Sequence, residues 1–480
     1  MLRKQMEYRS ANKFFLFLRR FFIVLLAAGC SNAYVDDIKR GAGYEYRPGF
    51  PEVRVEVAGI IDENDQPKIQ VTGNLVHNSL VFREVDGQLI SEVGIEINLT
   101  NHTANTSDHI SYSATVTKDS ALNSFDEEIY IFERELEASP GDYTVDVSVT
   151  DQSSQKTTTR SVDAYLPNPG EETSNITNIR ILASRDKNGS ELYPVTTYDV
   201  GLGADTVKFI FQVTNNNPDE PINIQSRLIK FNSDTTIARA MSHNNYSPSH
   251  ISYKGIEYDR YEVVQSSNRI LDQPGSVLIE FAYTDLGRGN YRFEVAKDLE
   301  NRGELYKARD FSLKSENYPA LKNPRELAEP LYYLMSEKEH ENLMSIKSYD
   351  SLKREIDRFW LQNIKDSRVA RNVISMYYQR VEEANKQFSN FKEGWKTDAG
   401  KIYILFGPPW YVETRLSTMQ WSYAYDRSDP EYNFYFQLPK IKSSSYPFEN
   451  YILQRDNFYF NIEYQQIQLW KSGYILRRNL

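Results

Sequence analysis

Gly141-Asp142-Tyr143-Thr144-Val145-Asp146-Val147 returns, 148 residues further on, as Gly289-Asn290-Tyr291-Arg292-Phe293-Glu294-Val295. Both stretches alternate apolar residues with polar or charged ones, which is the period-two pattern of a strand with one buried face. Each leads to an aspartate, Asp151 or Asp298, then a polar turn and one last strand that ends near 165 or 313. The surrounding sequence has the same character. Val53, Val55 and Val57 alternate with charged residues, and Ile95, Ile97 and Leu99 with Glu96 and Asn98. Ile179 to Leu182, Val207 to Val213, Ile222 to Ile229, Tyr261 to Val264 and Val277 to Tyr283 read as further strands. Asn, Asp and Gly clusters between these runs supply turns.

Strands at this spacing, without helical periodicity between them, imply two packed sheets in each region. A Gly before Tyr at the start of a late strand resembles the corner of immunoglobulin-like sandwiches, where the Tyr hydroxyl ties back to a loop. The expected fold is therefore multidomain, with two tandem all-β immunoglobulin-like sandwiches, residues 51–166 and 174–315, followed by an α+β domain. Pro167-Asn168-Pro169-Gly170 is a stiff linker between the sandwiches. Chance similarity of two strand-and-turn segments is the competing explanation of the repeat.

The pattern changes after residue 318. Ser336-Glu337-Lys338-Glu339 is a capping box that predicts a helix to about Ile346. Leu352, Ile356, Phe359 and Trp360 predict a helix from Asp350 to about Gln362, and Val369, Val373, Met376, Tyr377, Val381, Ala384 and Phe388 predict one from Ser367 to Phe391. Lys401 to Phe406 reads as a strand ended by Gly407-Pro408-Pro409, because prolines remove donors and fix φ. Trp421 to Tyr425 and Phe434 to Phe436 read as two more strands, and residues 458–480 as a weakly amphipathic tail. Residues 318–480 form the expected α+β domain.

One stretch of this last region resembles a known family. Gly394-Trp395-Lys396-Thr397-Asp398, with Gly400, Ile402-Tyr403-Ile404 and Gly407-Pro408-Pro409, is similar to the motif that names the GWxTD domain. Arg358-Phe359-Trp360, Asp366, Arg371-Asn372, Tyr377-Tyr378, Arg380-Val381, Ala384-Asn385 and Phe388 before it, and Trp421-Ser422-Tyr423 and Phe434 after it, follow the family's order. Many members carry Asp-Arg-Gly where this chain has Asp398-Ala399-Gly400, so no arginine side chain acts there. The resemblance implies a secreted or lipid-anchored bacterial protein with a β-rich N-terminal part, and it implies no activity. Two roles for the motif stand open. In one, Gly394 takes a positive φ to stop the long helix, Trp395 anchors the loop, Thr397 and Asp398 bond local backbone, and Gly400 completes a turn into a strand. In the other, Asp398 lines a pocket with Arg371, Arg380 or Asn385.

The first thirty residues carry their own signal. Residues 1–20 hold six bases and one acid, and Phe21 to Ala28 are uncharged. Leu26-Ala27-Ala28-Gly29-Cys30 then matches a lipobox, so residues 1–29 read as a lipoprotein signal peptide and Cys30 as the lipid-bearing first residue. The apolar run rises only about 12 Å as a helix, far short of the ~30 Å of a bilayer core. Cys30 is the only cysteine, so the processed chain has no disulfides. Residues 30–50 read as a tether. Ser31 after the cysteine favours the outer membrane over the inner, on a family-level sorting rule.

Composition narrows the function further. The chain has 56 basic and 66 acidic residues; without residues 1–29, 50 and 65 remain. So acidic a chain is poorly suited to nucleic acid, where phosphate neutralisation supplies most of the affinity. Its 34 Tyr and 24 Phe suit sheet faces and binding surfaces alike. The histidines at 77, 102, 109, 243, 250 and 340 show no metal-site spacing, no phosphate loop or Gly-x-Ser-x-Gly elbow occurs, and Gly201-Leu202-Gly203 is a turn. A pair of glycosidase acids needs no sequence motif. The expectation is a non-catalytic lipoprotein of the cell envelope, without cofactor or metal, that binds an envelope protein partner. The alternative is a glycan-binding or glycan-hydrolysing lipoprotein.

Overall fold

The computed structural model describes residues 49–118, 129–170, 174–201, 203–217, 220–243, 251–301, 305–424, 431–439 and 450–478. Cys30 and almost all of the expected tether lie outside the described residues. Among the described residues no helix is long and apolar enough to cross a membrane.

Alternating side chains in the first region give β1 (Val53–Ile61), β2 (Pro67–Val76), β3 (Arg83–Val85), β4 (Gln88–Asn101), β5 (Thr106–Lys118), β6 (Ile129–Glu137), β7 (Gly141–Asp151) and β8 (Lys156–Leu166). One sheet has the order β1-β2-β6. The other has β5-β4-β7-β8, with the short β3 also on β4. Val53, Val55, Val57, Ile69 and Val71 of the first sheet share a buried core with Ile95, Ile97, Val145, Val147 and Val149 of the second. Each such side chain stabilises the fold by about 1.5–3 kcal/mol.

The second region contains β9 (Ser174–Ile176), β10 (Arg180–Ser184), β11 (Tyr193–Pro194), β12 (Asp199–Val200), β13 (Thr206–Asn215), β14 (Ile222–Ser233), one helical turn α1 (Ile251–Lys254), β15 (Ile256–Leu271), β16 (Gly275–Thr284), β17 (Gly289–Ala296) and β18 (Lys307–Leu313). Its sheets run β11-β10-β13-β16, with β9 on β13, and β12-β18-β17-β14-β15. Phe209 from one sheet stacks on Phe293 from the other, with centroids 4.4 Å apart.

The two regions repeat one strand order. β1-β2-β6 corresponds to β10-β13-β16, and β5-β4-β7-β8 to β15-β14-β17-β18, strand for strand along the chain. The repeated stretches are β7 and β17, each opening on a glycine with positive φ, +141° at Gly141 and +156° at Gly289. The tyrosine hydroxyls tie back as expected, Tyr143 to Ser139 O at 2.6 Å and Tyr291 to Gly287 O at 2.5 Å, four residues upstream in both. The two sandwiches also touch. The Gln212 amide donates to Ile61 O (2.6 Å) and accepts from Ile61 N (2.8 Å), and Arg309 faces Glu56 at 3.4 Å, both buried.

The C-terminal region holds α2 (Pro324–Ala328), α3 (Glu337–Met344), α4 (Tyr349–Asn363), α5 (Ser367–Phe388), α6 (Asp398–Phe406) and α7 (Tyr459–Ser472), with β19 (Tyr411–Thr414), β20 (Thr418–Tyr423), β21 (Tyr432–Gln437) and β22 (Ile452–Leu453) in one antiparallel sheet of that order. Ser336 and Glu339 make the expected capping box. Buried Ala370, Val373, Tyr377, Val381 and Ala384 give α5 its inner stripe. Trp360, Tyr377 and Trp470 meet edge to face, at 5.5 and 5.2 Å between centroids, and join α4, α5 and α7.

Five expectations for the C-terminal region need correction. Residues 401–406 are the body of helix α6 and not a strand. The run is apolar because every residue from Ala399 to Phe406 is buried, and a short apolar run has no period to separate helix from strand. The element ends on Gly407, which takes φ +84° at the helix terminus, and not on the prolines. Helix α5 stops at Phe388, earlier than Phe391, and β19 lies where no strand was expected. The strand expected from Trp421 to Tyr425 runs Thr418–Tyr423, and Tyr425 lies outside the described residues.

Candidate functional site

The motif fills the joint between α5 and α6. Gly394 does not carry a positive φ, contrary to expectation; the end of α5 is handled by Ser389, in extended geometry. The glycine is required for another reason. It lies so close to α5 that a Cβ would stand 1.9 Å from Ala384 O. Ser389 Oγ accepts from Gly394 N and from the Tyr318 hydroxyl, both at 2.6 Å. Asn385, buried in α5, accepts from Trp395 N at 3.2 Å and donates to Pro319 O at 3.0 Å. Residues 394–396 form one 3₁₀ turn.

Trp395 is buried, with its ring edge-on to Tyr333 at 6.1 Å, and Trp395 O accepts from the Tyr333 hydroxyl at 2.6 Å. Burial, with Tyr377 and Asp398 nearby, pushes the Tyr333 phenol well above its ordinary pKa. Thr397 caps α6, its Oγ1 accepting from Gly400 N at 3.0 Å and donating to Gly394 O at 2.8 Å. Gly400 belongs to the first turn of α6, not to a turn into a strand. Its Cβ position is 1.9 Å from Gly394 O, so a larger residue would force the motif apart.

Asp398 opens α6, where a carboxylate suits the helix N-terminus. Its Oδ2 accepts from Leu453 N (2.8 Å) and Arg455 Nη1 (2.9 Å), and its Oδ1 from Arg455 Nη2 (2.5 Å). The two side chains are only 8% and 2% exposed. One turn on, Lys401 pairs with Glu463 of α7 at 2.5 Å. Burial lowers the Lys401 pKa, against the pull of Glu463.

This buried charge cluster grips a loop of the second sandwich. Lys401 Nζ donates to Arg239 O (2.9 Å), Arg455 Nε to Ala240 O (3.2 Å), and Glu463 Oε2 accepts from Met241 N (2.7 Å). Ala238 and Met241 sit in the same hydrophobic core as Trp395, Ile402 and Trp470. Further bonds cross the joint: Lys392 Nζ to Asp234 Oδ2 (2.6 Å) and to Thr236 O (2.8 Å), Asn290 Nδ2 to Phe391 O (2.9 Å) and Lys314 Nζ to Asn390 O (2.7 Å). Lys392 outweighs burial to keep the Asp234 pKa low. At Glu393 burial acts to raise the pKa, but Lys396 and Lys314 hold it down at about 2.

The residues considered for a pocket serve other ends. Arg380 is buried, donates to Ile404 O at 3.2 Å and lies over the Trp470 ring at 5.2 Å; with Trp470 Nε1 and Gln466 Nε2, both on Leu405 O, it satisfies the last carbonyls of α6. A Cβ at Gly407 would stand 2.7 Å from Arg380 Nη2. Asn385 holds the motif backbone, Asp398 holds Arg455, and Arg371 is exposed on α5. Pro408 is exposed and Pro409 half-buried after the helix end. The described cavities lie elsewhere; one, lined by Arg54, Asn74, Thr196, Asp199 and Tyr318 among others, sits where the three regions meet. Among the described residues no three His, Cys, Asp or Glu side chains are grouped to hold a metal. Tyr333, Ser389, Lys401, Arg455 and Glu463 went unrecognised in the sequence. Of these only Lys401 carried a signal, as a lone charge opening an apolar run.

Residues 298–472 match the family model of the GWxTD domain. The match opens ahead of β18, so it includes the last strand of the second sandwich. No curated protein matches the chain. Among solved structures, a red sea bream transglutaminase aligns at 7% identity over 55% of this chain and 31% of its own, with a TM-score of 0.18. A trypsin-activated alpha-2-macroglobulin from Escherichia coli aligns at 12% identity over 58% and 17%, TM-score 0.16. A Salmonella alpha-2-macroglobulin mutant aligns at 15% identity over 56% and 17%, TM-score 0.18. The chain thus spans about a third or less of these proteins.

Proposed function

Because the chain carries a GWxTD domain over residues 298–472, we propose that it is a lipid-anchored, non-catalytic scaffold of the cell envelope that presents a partner-binding surface at the outer membrane. The observation that carries this reading is the use made of the motif. Trp395, Thr397 and Asp398 are spent on joining α5, α6 and a loop of the second sandwich, and the Asp398 carboxylate is taken up by Arg455 and Leu453 N. A motif so engaged is a structural joint that fixes one module against the next. The two β regions are read as immunoglobulin-like spacers; their common strand order and tyrosine ties support that. Cys30 supplies the lipid attachment and residues 30–50 the tether.

Two experiments test the parts separately. Cells fed a clickable fatty acid should label the wild type and not Cys30→Ala; equal labelling ends the anchoring reading. In-cell crosslinking with mass spectrometry should recover an envelope protein with wild type, and recovery of none ends the scaffold reading.

A further inference from the structure

The sheet of the C-terminal region turns Trp421, Tyr423, Phe434 and Phe436 into the core. The residues between them point the other way. Strand register sets the residues of this side in two rows, Tyr411, Ser422, Asn433 and Glu413, Gln420, Tyr435, with Ser422 buried and Gln420 and Asn433 half-buried. The two tyrosines stand at opposite corners of the block and are 51% and 45% exposed. With strands ~4.8 Å apart and a rise of ~3.4 Å per residue, the corners lie about 12 Å from each other.

The middle of the block is polar and fixed. Ser422 Oγ donates to Asn433 Oδ1 at 2.5 Å, and Gln420 Nε2 donates to Ser422 Oγ at 3.2 Å and to Asn433 Oδ1 at 3.0 Å. That leaves the Gln420 carbonyl oxygen and the Asn433 amide N–H groups without a partner among the described residues. Glu413 is balanced by Arg415, Nη2 at 2.9 Å. With Arg415 counted, the six residues of the block carry no net charge, on a chain of net charge −10.

We propose that this face binds a neutral oligosaccharide, laid along the diagonal from Tyr411 to Tyr435. The C–H faces of pyranose rings pack on the two aromatic rings, whose negative π faces attract them. Sugar hydroxyls donate to the Gln420 carbonyl oxygen and accept from the Asn433 amide, the two groups left over in the block. Neutrality matches a ligand without carboxylate, sulfate or phosphate. A protein partner fits less well, because protein interfaces place aromatic anchors at the centre inside a polar rim, and here that order is reversed. The proposal does not depend on the anchoring reading.

Isothermal titration of the whole purified chain against neutral hexasaccharides of glucan, xylan, mannan and chitin type tests this, with polygalacturonate and heparin hexasaccharides as charged controls. At least one neutral hexasaccharide should bind. Tyr411→Ala and Tyr435→Ala should each weaken it about tenfold, and Gln420→Ala should weaken it too. Phe460→Ala, at an exposed ring of α7, should bind as wild type. Both tyrosines are exposed, so their variants should keep the wild-type melting temperature, which separates lost binding from lost fold. Binding of none of the neutral sugars, binding of charged ones only, or wild-type affinity in both tyrosine variants overturns the proposal.

Discussion

Replacing Asp398 by Asn removes one charge and leaves the shape unchanged. Arg455, 2% exposed, then keeps a guanidinium in the core without its carboxylate. Breaking a buried ion pair from one side costs about 3–5 kcal/mol. The lower end applies, because Arg455 also donates to Ala240 O and Leu453 O, and the Asn oxygen can still accept from Leu453 N. We therefore expect a loss of about 3 kcal/mol. Arg455→Met alone strands the Asp398 carboxylate and should cost a similar amount. The double variant removes both charges, so its loss should fall short of the sum by about 2 kcal/mol. Urea unfolding of the whole chain reads this out through tryptophan fluorescence, since Trp395 adjoins the pair. The relevant quantity is the transition reporting the C-terminal region, because a chain of several modules need not unfold in one step. A loss below ~1 kcal/mol for Asp398→Asn, or strict additivity in the double variant, refutes the clamp.

Gly394→Ala and Gly400→Ala should each lose more than about 4 kcal/mol in thermal unfolding, since each Cβ meets a carbonyl oxygen at 1.9 Å, whereas Gly287→Ala, with its nearest neighbour at 3.6 Å, should stay within ~0.5 kcal/mol. Tyr143→Phe and Tyr291→Phe should each cost about 1 kcal/mol, detectable as faster hydrogen exchange in the sandwich that carries the substitution. The pKa of Glu393 is about 2 in the fold against 4.5 for the free group, so its contribution is complete above pH 4.5 and is lost as pH falls toward 2. An acid titration followed by circular dichroism should show that decline, and Glu393→Gln should flatten it; an unchanged acid slope contradicts the role given to Lys396 and Lys314.

The β regions were legible because apolar and polar residues alternate, as where buried Tyr143, Val145, Val147 and Val149 alternate with polar neighbours, and because Gly141 and Gly289 mark one structural position twice. The single buried face expected of the second stretch does not hold, since Asn290, Arg292 and Glu294 of β17 are buried as well, where Arg292 pairs with Asp310 and Glu294 with Arg227. Helix α5 was legible through its stripe and α3 through its capping box. Helix α6 was not, since it is dry on all sides and carries no period. The joint itself was half legible. Trp395 and Thr397 act on near neighbours, so local chemistry pointed to them. Asp398 meets Arg455 across 57 residues and Glu463 meets Met241 across 222, distances over which one sequence gives no pairing information.

The grip on Met241 also imposes an order on assembly. A polypeptide emerges N-terminus first, from a ribosome or through a secretion channel, so residues 238–241 arrive long before Lys401, Arg455 and Glu463 exist to receive them. The second sandwich can close its own core in that interval, but Ala238 and Met241 belong to a core whose other members lie in the C-terminal region. A fragment ending short of α7 retains Lys401 and Arg455 but lacks Glu463, and so leaves Met241 N without its carboxylate. The final helix thus adds the last of the three grips, Glu463 on Met241 N, to two already in place.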